Sequence, residues 1–172
     1  AARPAVRSCR NADHYVPREL CPRVTGRPRA DKGAGEYRHE GTEVAGDVGA
    51  GVGRPDRPLV LLVGDGGFMM GGLQELHTGV HLGLDLIVVL FNDGSYGAEH
   101  VQLVNKQMDT SSSLHHWPDF TAVAAALGAE SVAVRCVDDF GHAEKAVVQR
   151  VSGRPVFIEI AVDPEVSSRI PR

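Results

Sequence analysis

The sequence predicts an α/β domain, a mainly parallel sheet flanked by helices, preceded by an irregular amino-terminal tail. Three observations carry that prediction. Leu59-Val60-Leu61-Leu62-Val63 and Leu86-Ile87-Val88-Val89-Leu90-Phe91 are short, continuous apolar runs rich in β-branched residues, as expected of strands covered on both faces. Between them Leu73, Leu76 and Val80 recur at helical spacing, and Gly83 offers a stop. Beyond them, helical and strand-like stretches keep alternating as far as Ile160, which is the order of a βαβ-built sheet.

The elements follow in order. The first unit reads strand, loop, helix, strand. Residues 98–117 are polar and Ser-rich without a period, so a loop is expected there. Asp119 is placed to cap a helix from Phe120 to Leu127 that ends at Gly128. Ser131 to Val134 reads as a strand, and Asp139 as the cap of a helix running through Ala143, Val147 and Val151. Gly153-Arg154-Pro155 breaks that helix before a last strand, Val156 to Ile160.

At 172 residues the chain is long enough for one sizeable core. Its charge is uneven: residues 1–58 carry 11 Lys and Arg against 8 Asp and Glu, the remainder 7 against 14, and the whole chain is −4. Residues 1–48 are rich in Arg, Pro and Gly with no sustained period, which predicts an irregular or disordered tail, and the domain is expected to occupy 49–172. The compositional break, the Ala start and the abrupt onset of domain-like sequence lead us to expect a partial or frame-disrupted gene product. Neither an export signal nor a spanning segment is visible, so a cytoplasmic protein without membrane contact is expected. Cys9, Cys21 and Cys136 lack the spacing of a disulfide framework or a zinc site. The basic stretch Arg23 to Lys32 has no aromatic or helical pattern, and no nucleic-acid partner is expected.

The chemistry lies at the strand ends. Gly64-Asp65-Gly66-Gly67 closes the first run and Asn92-Asp93-Gly94-Ser95-Tyr96-Gly97 the second. In an open parallel sheet these loops form the ligand crevice, which sets Asp65 and Asp93 side by side. Two carboxylates there repel a phosphate unless a cation lies between them, and oxygen donors favour Mg²⁺. The amides of Gly66 and Gly67, at the start of a helix, would complete a phosphate cradle. A dinucleotide site is the rival reading of the same glycine-rich turn, although Met69 stands where its third glycine belongs and Asp65 would aim a charge into a pyrophosphate loop.

The run from Gly64 to Gly97, GDGGFMMGGLQELHTGVHLGLDLIVVLFNDGSYG, resembles the cofactor motif of thiamine-diphosphate enzymes, with a context similar to the acetolactate synthase, benzoylformate decarboxylase and pyruvate decarboxylase group. Arg54-Pro55-Asp56-Arg57-Pro58, WPDFTAVAAALGAE at 117–130 and RPVFIEIAVDPE at 154–165 extend the likeness over about residues 49–165. The resemblance implies the diphosphate domain of the thiamine-diphosphate-binding fold, with thiamine diphosphate and Mg²⁺ as cofactors. It implies Asp65, Asp93 and the Ser95 carbonyl as metal ligands. Gly64, Gly66, Gly67, Asn92 and Tyr96 join those three as cofactor contacts, Asn92 by fixing the loop. Asp93 departs from the Asn usual at its position. The implied reaction is decarboxylation of a 2-keto acid, or acetolactate synthase-like transfer. It also needs an activating glutamate from a pyrimidine-binding domain or subunit, usually within a homo-oligomer. No such domain fits upstream of residue 58, so the chain is expected to be inactive alone; a non-catalytic metal-diphosphate-binding fragment is the alternative.

Other candidates have simpler readings. His77 and His81 have the i, i+4 spacing of zinc ligands but lack a third, and read as a helix face. His115 and His116 read as solvated loop residues, Glu75 as structural, and Met69 and Met70 as packing against the sheet.

Overall fold

A computed structural model describes residues 5–8 and 42–163. Most of the expected tail, including Cys9, Cys21 and the basic stretch, and the end of the expected domain at 164–172 lie outside the described residues. Among the described residues five strands form one sheet: β1 (Ala5–Ser8), β2 (Leu59–Gly64), β3 (Leu86–Asn92), β4 (Glu130–Val134) and β5 (Val156–Ala161), in the order β1-β2-β3-β5-β4, every pair parallel. The helices are α1 (Thr42–Gly53), α2 (Asp65–Gly67), α3 (Leu73–His81), α4 (Gly97–Asn105), α5 (Phe120–Ala126) and α6 (Phe140–Val148).

Strand alternation explains the layers, because successive side chains point to opposite faces. Leu59, Leu61 and Val63 of β2, Leu86, Val88 and Leu90 of β3 and Phe157 of β5 share one core with Val44 and Val48 of α1, Leu76 of α3 and Phe120 and Ala124 of α5. Ile87, Val156 and Ile158 face the other way, onto Ala143 and Ala146 of α6. The unbroken apolar runs at residues 59–63 and 86–91 are therefore a consequence of helices on both faces.

The sheet and its connections follow the predicted order, with four differences. The expected loop after β2 is absent: the chain turns helical at Asp65 and passes through a π-helical turn, Phe68–Gly72, into α3. Gly72 permits this, since a Cβ there would collide with the buried Phe68 ring. Residues 98–117 are not simply a loop, for α4 and a 3₁₀ turn at Ser111–Ser113 occupy much of them. None of the α4 residues is buried, so the helix leaves no strong periodic signal. Finally, α6 stops at Val148, leaving Val151 exposed, and Asp139 does not cap it. Its carboxylate instead accepts from the Arg135 and Cys136 amides at 2.8 and 3.0 Å, tying down the exit from β4. Asp119 does cap α5, accepting from the Ala122 amide at 3.0 Å.

Two described segments fall inside the span expected to be irregular. The α1 helix begins at Thr42 and buries Val44 and Val48, and β1 pairs with β2 from Ala5↔Leu59 to Ser8↔Leu62. A four-residue strand is too short to show alternation, and Gly46, Gly49, Gly51 and Gly53 dilute the helical pattern of α1.

Candidate functional site

The register of β2 against β3, Gly64↔Phe91, brings the two glycine-framed acids to neighbouring strand ends. Asp65 is the first residue of α2 and is only 4% exposed. Its Oδ1 accepts from the Gly66 amide at 2.8 Å, and its Oδ2 from the Gly94 amide at 2.9 Å and the Trp117 indole N–H at 2.7 Å. Despite these donors its pKa is pushed up to about 6, first by burial and next by the negative charge of Asp93. Burial also raises the pKa of Asp93, against the Ser95 amide and hydroxyl, which donate to its Oδ1 at 2.9 and 2.8 Å.

Backbone geometry makes the pair possible. Gly94 has φ +72°, a conformation that L side chains rarely adopt, and it turns its N–H onto both Asp65 Oδ2 and Asn92 Oδ1, the latter at 3.0 Å. A Cβ on Gly66 would lie 2.6 Å from the Tyr96 ring, so glycine lets Tyr96 pack closely against the start of the helix. The segment after α4 straps across this loop: the Tyr96 amide donates to the Ser113 carbonyl at 2.9 Å, the His115 amide to the Gly94 carbonyl at 2.8 Å, and Ser95 bridges Leu114.

Three aromatic rings close the cluster. His115 stacks on Trp117 with centroids 4.3 Å apart, and Tyr96 meets the edges of both at 4.5 and 5.8 Å. His115 is thus not the solvated loop residue expected, and its buried Nε2 has no hydrogen-bond partner; His116 is exposed. Met69 packs against the core, but Met70 is 44% exposed, contrary to expectation. His77 and His81 lie exposed with stacked rings 6.4 Å apart, and no group of three His, Cys, Asp or Glu placed to hold a metal occurs among the described residues.

The residues brought together are Asp65, Gly66, Asn92, Asp93, Ser95 and Tyr96, with Gly64 and Gly67 on either side of the α2 start. Two desolvated carboxylates, the charge of Asp93 raising the proton affinity of Asp65, favour a bound cation, which would relieve both burial and repulsion. Asp65 Oδ1 carries one donor where Oδ2 carries two, leaving Oδ1 the freer atom for coordination. The donor set therefore fits a hard divalent ion. Gly66 differs from its expected part, because its amide is turned onto Asp65.

Sequence reasoning missed Trp117, Arg135 and Glu159. Glu159, only 1% exposed, binds the Asn92 side-chain amide at 2.7 Å and both terminal nitrogens of Arg135 at 3.1 Å. The available signal was one acid inside the otherwise apolar strand VFIEIA.

Residues 27–160 match the family described as thiamine pyrophosphate enzyme, C-terminal TPP binding domain. The match starts ahead of residue 49, where motif likeness begins. Acetolactate synthase of Mycobacterium leprae is 30% identical over 142 residues, covering 79% of this chain and 22% of that protein. Sulfoacetaldehyde acetyltransferase of Alcaligenes xylosoxydans xylosoxydans is 32% identical over 124 residues, covering 69% and 20%. Benzoylformate decarboxylase from Polynucleobacter necessarius superposes with a TM-score of 0.63 at 26% identity, covering 72% of this chain and 24% of that one. The chain thus spans about a quarter of the length of these relatives. A carboxylate pair on adjacent parallel strand ends, Asp65 buried and Asp93 half-buried, in a sequence that matches this family over most of its length, places the chain among the thiamine pyrophosphate enzymes, as their C-terminal cofactor-binding domain.

Proposed function

We propose that this domain holds the diphosphate of thiamine diphosphate through Mg²⁺, with Asp65, Asp93 and the main-chain carbonyl of Ser95 as protein ligands. It would serve a 2-keto-acid decarboxylase or an acetolactate synthase-like transferase. The observation that carries the reading is the buried carboxylate of Asp65, its proton affinity raised by the neighbouring half-buried Asp93, at a helix start. The cofactor, when bound, supplies the electron sink for cleavage next to a carbonyl. The chain's own part would be positioning: Asp65 and Asp93 would fix the cation, the start of α2 would take the diphosphate, and Tyr96 with Gly66 would shape the wall beside it.

Activation of the cofactor would fall to a pyrimidine-binding domain or subunit, in a homo-oligomer as the family resemblance implies. Among the described residues no helix is long and apolar enough to cross a membrane. Without that second domain the chain would bind and not turn over, which is also the content of the non-catalytic reading. The relatives of several activities, and the short share of them that the chain spans, support leaving the 2-keto acid unnamed.

The test is calorimetric titration of thiamine diphosphate into the chain with and without Mg²⁺, repeated for Asp65→Ala and Asp93→Ala. Trp117 is the sole tryptophan and donates to Asp65, so its emission provides a second readout. Binding that requires Mg²⁺, shifts the Trp117 emission and weakens at least about tenfold in each variant is expected, since each loses a charged ligand. Equal affinity with and without the metal would refute the proposed site.

A further inference from the structure

The buried Glu159 is not among the expected cofactor contacts, yet it is joined to them. Leu90 and Asn92 lie on the same face of the sheet as Phe157 and Glu159, and the β3–β5 register sets Leu90 opposite Glu159. From there Glu159 Oε1 accepts from Asn92 Nδ2 at 2.7 Å and from Arg135 at 3.1 Å, while Oε2 accepts from the other terminal nitrogen of Arg135 at 3.1 Å. A carboxylate buried to this degree is costly unless paired and hydrogen-bonded. The guanidinium, half-exposed at the end of β4, pairs it bidentately and leaves Oε1 able to hold the asparagine.

That grip settles which way Asn92 points. With Nδ2 committed to Glu159, Oδ1 must face the turn, where it accepts from the Gly94 amide at 3.0 Å. The same amide donates to Asp65 Oδ2 at 2.9 Å. Reversing the Asn92 amide would set its NH₂ against the Gly94 N–H and its oxygen against a carboxylate.

We propose that Glu159, braced by Arg135, is a positioning residue for the cofactor loop, acting through Asn92 to hold the Gly94 N–H beside Asp65. The assignment rests on the proposed function only for what the loop binds. The hydrogen-bond relay itself belongs to the chain without cofactor. Its consequence is that cofactor affinity is set partly from β4 and β5, strands that carry none of the expected ligands.

The experiment compares Glu159→Leu, which removes the acceptor, with Glu159→Gln, whose Oε1 still accepts from Asn92 while the charge is gone. Two quantities are read: amide hydrogen exchange at Gly94, with Leu61 and Val88 as core references, and affinity for thiamine diphosphate with Mg²⁺. In E159L, Gly94 should exchange about tenfold faster with the core amides unchanged, and affinity should fall by a similar factor, the size expected for one hydrogen bond to a charged group. In E159Q both should stay within about threefold of the parent chain. Should E159L not fold, the paired change Arg135→Met with Glu159→Leu leaves no unpaired charge and should show the same Gly94 effect.

Unaltered Gly94 exchange in the folded acceptor-free chain overturns the proposal. So does an E159Q loss as large as that of E159L, or an equal acceleration of Leu61 and Val88. If the parent chain binds no cofactor but the Gly94 result holds, the proposed function fails and the positioning role stands.

Discussion

Asp65 concentrates the chemistry of the site at a single residue. Its pKa of about 6 arises from burial and from Asp93, both of which penalise its charge in the folded state alone. A carboxyl whose folded pKa lies above its unfolded value binds protons more tightly when folded. Asp65 therefore favours folding below about pH 4, and that contribution is lost as the pH rises from about 4 to about 6, a change on the order of 2–3 kcal/mol. Asp56, Asp109, Asp119 and Asp139, with lowered pKa values, act in the opposite sense, so the comparison is best made by difference. Asp65→Asn should unfold at a higher temperature than the parent chain at pH 7.5 without metal, and the gain should shrink towards pH 4. Mg²⁺ should raise the parent's midpoint at pH 7.5 and leave the variant's unchanged. Thermal melts at the two pH values, with chelator or Mg²⁺, check both; a parent chain indifferent to Mg²⁺ would remove the cation from the account.

Among the elements, the passage from β2 into α3 sets the site. Helical structure starts at Asp65 with no intervening loop, and the π turn Phe68–Gly72 inserts a residue's worth of phase between the site and the core-facing stripe. Phe68 is 1% exposed, with its ring against Phe120 and Phe157 at 5.7 and 5.3 Å and over Gly72. We expect Gly72→Ala to force that ring out of place and to cost about 1–3 kcal/mol of stability. Because the displaced turn leads directly to Asp65, cofactor affinity should fall with it. Denaturant unfolding and the same titration read the two effects, and a neutral substitution would show that the turn absorbs the methyl group without shifting. The phase slip also explains why Leu73, Leu76 and Val80 revealed α3 while the helical residues before them went unread.

For the whole molecule, the site stands on one sheet with cores on both faces, and the proposed cofactor contacts sit at one end of it. The isolated chain is expected to show negligible turnover of pyruvate or benzoylformate, and steady production of aldehyde or acetolactate by it would mean that the activating acid lies within these 172 residues. The sequence alone determined the parallel α/β order, because buried strands and an amphipathic helix leave different periods, and it singled out Asp65 and Asp93 as candidates, because short glycine-framed motifs carry their chemistry locally. Tertiary structure alone decided that Trp117 donates to Asp65 across 52 residues and that Glu159 holds Asn92 across 67. It also decided that Arg135 neutralises Glu159 and that His115 stacks under the loop. Those contacts come from strand register and chain return, and a hydrogen bond between distant residues leaves no period in the sequence from which it could be read.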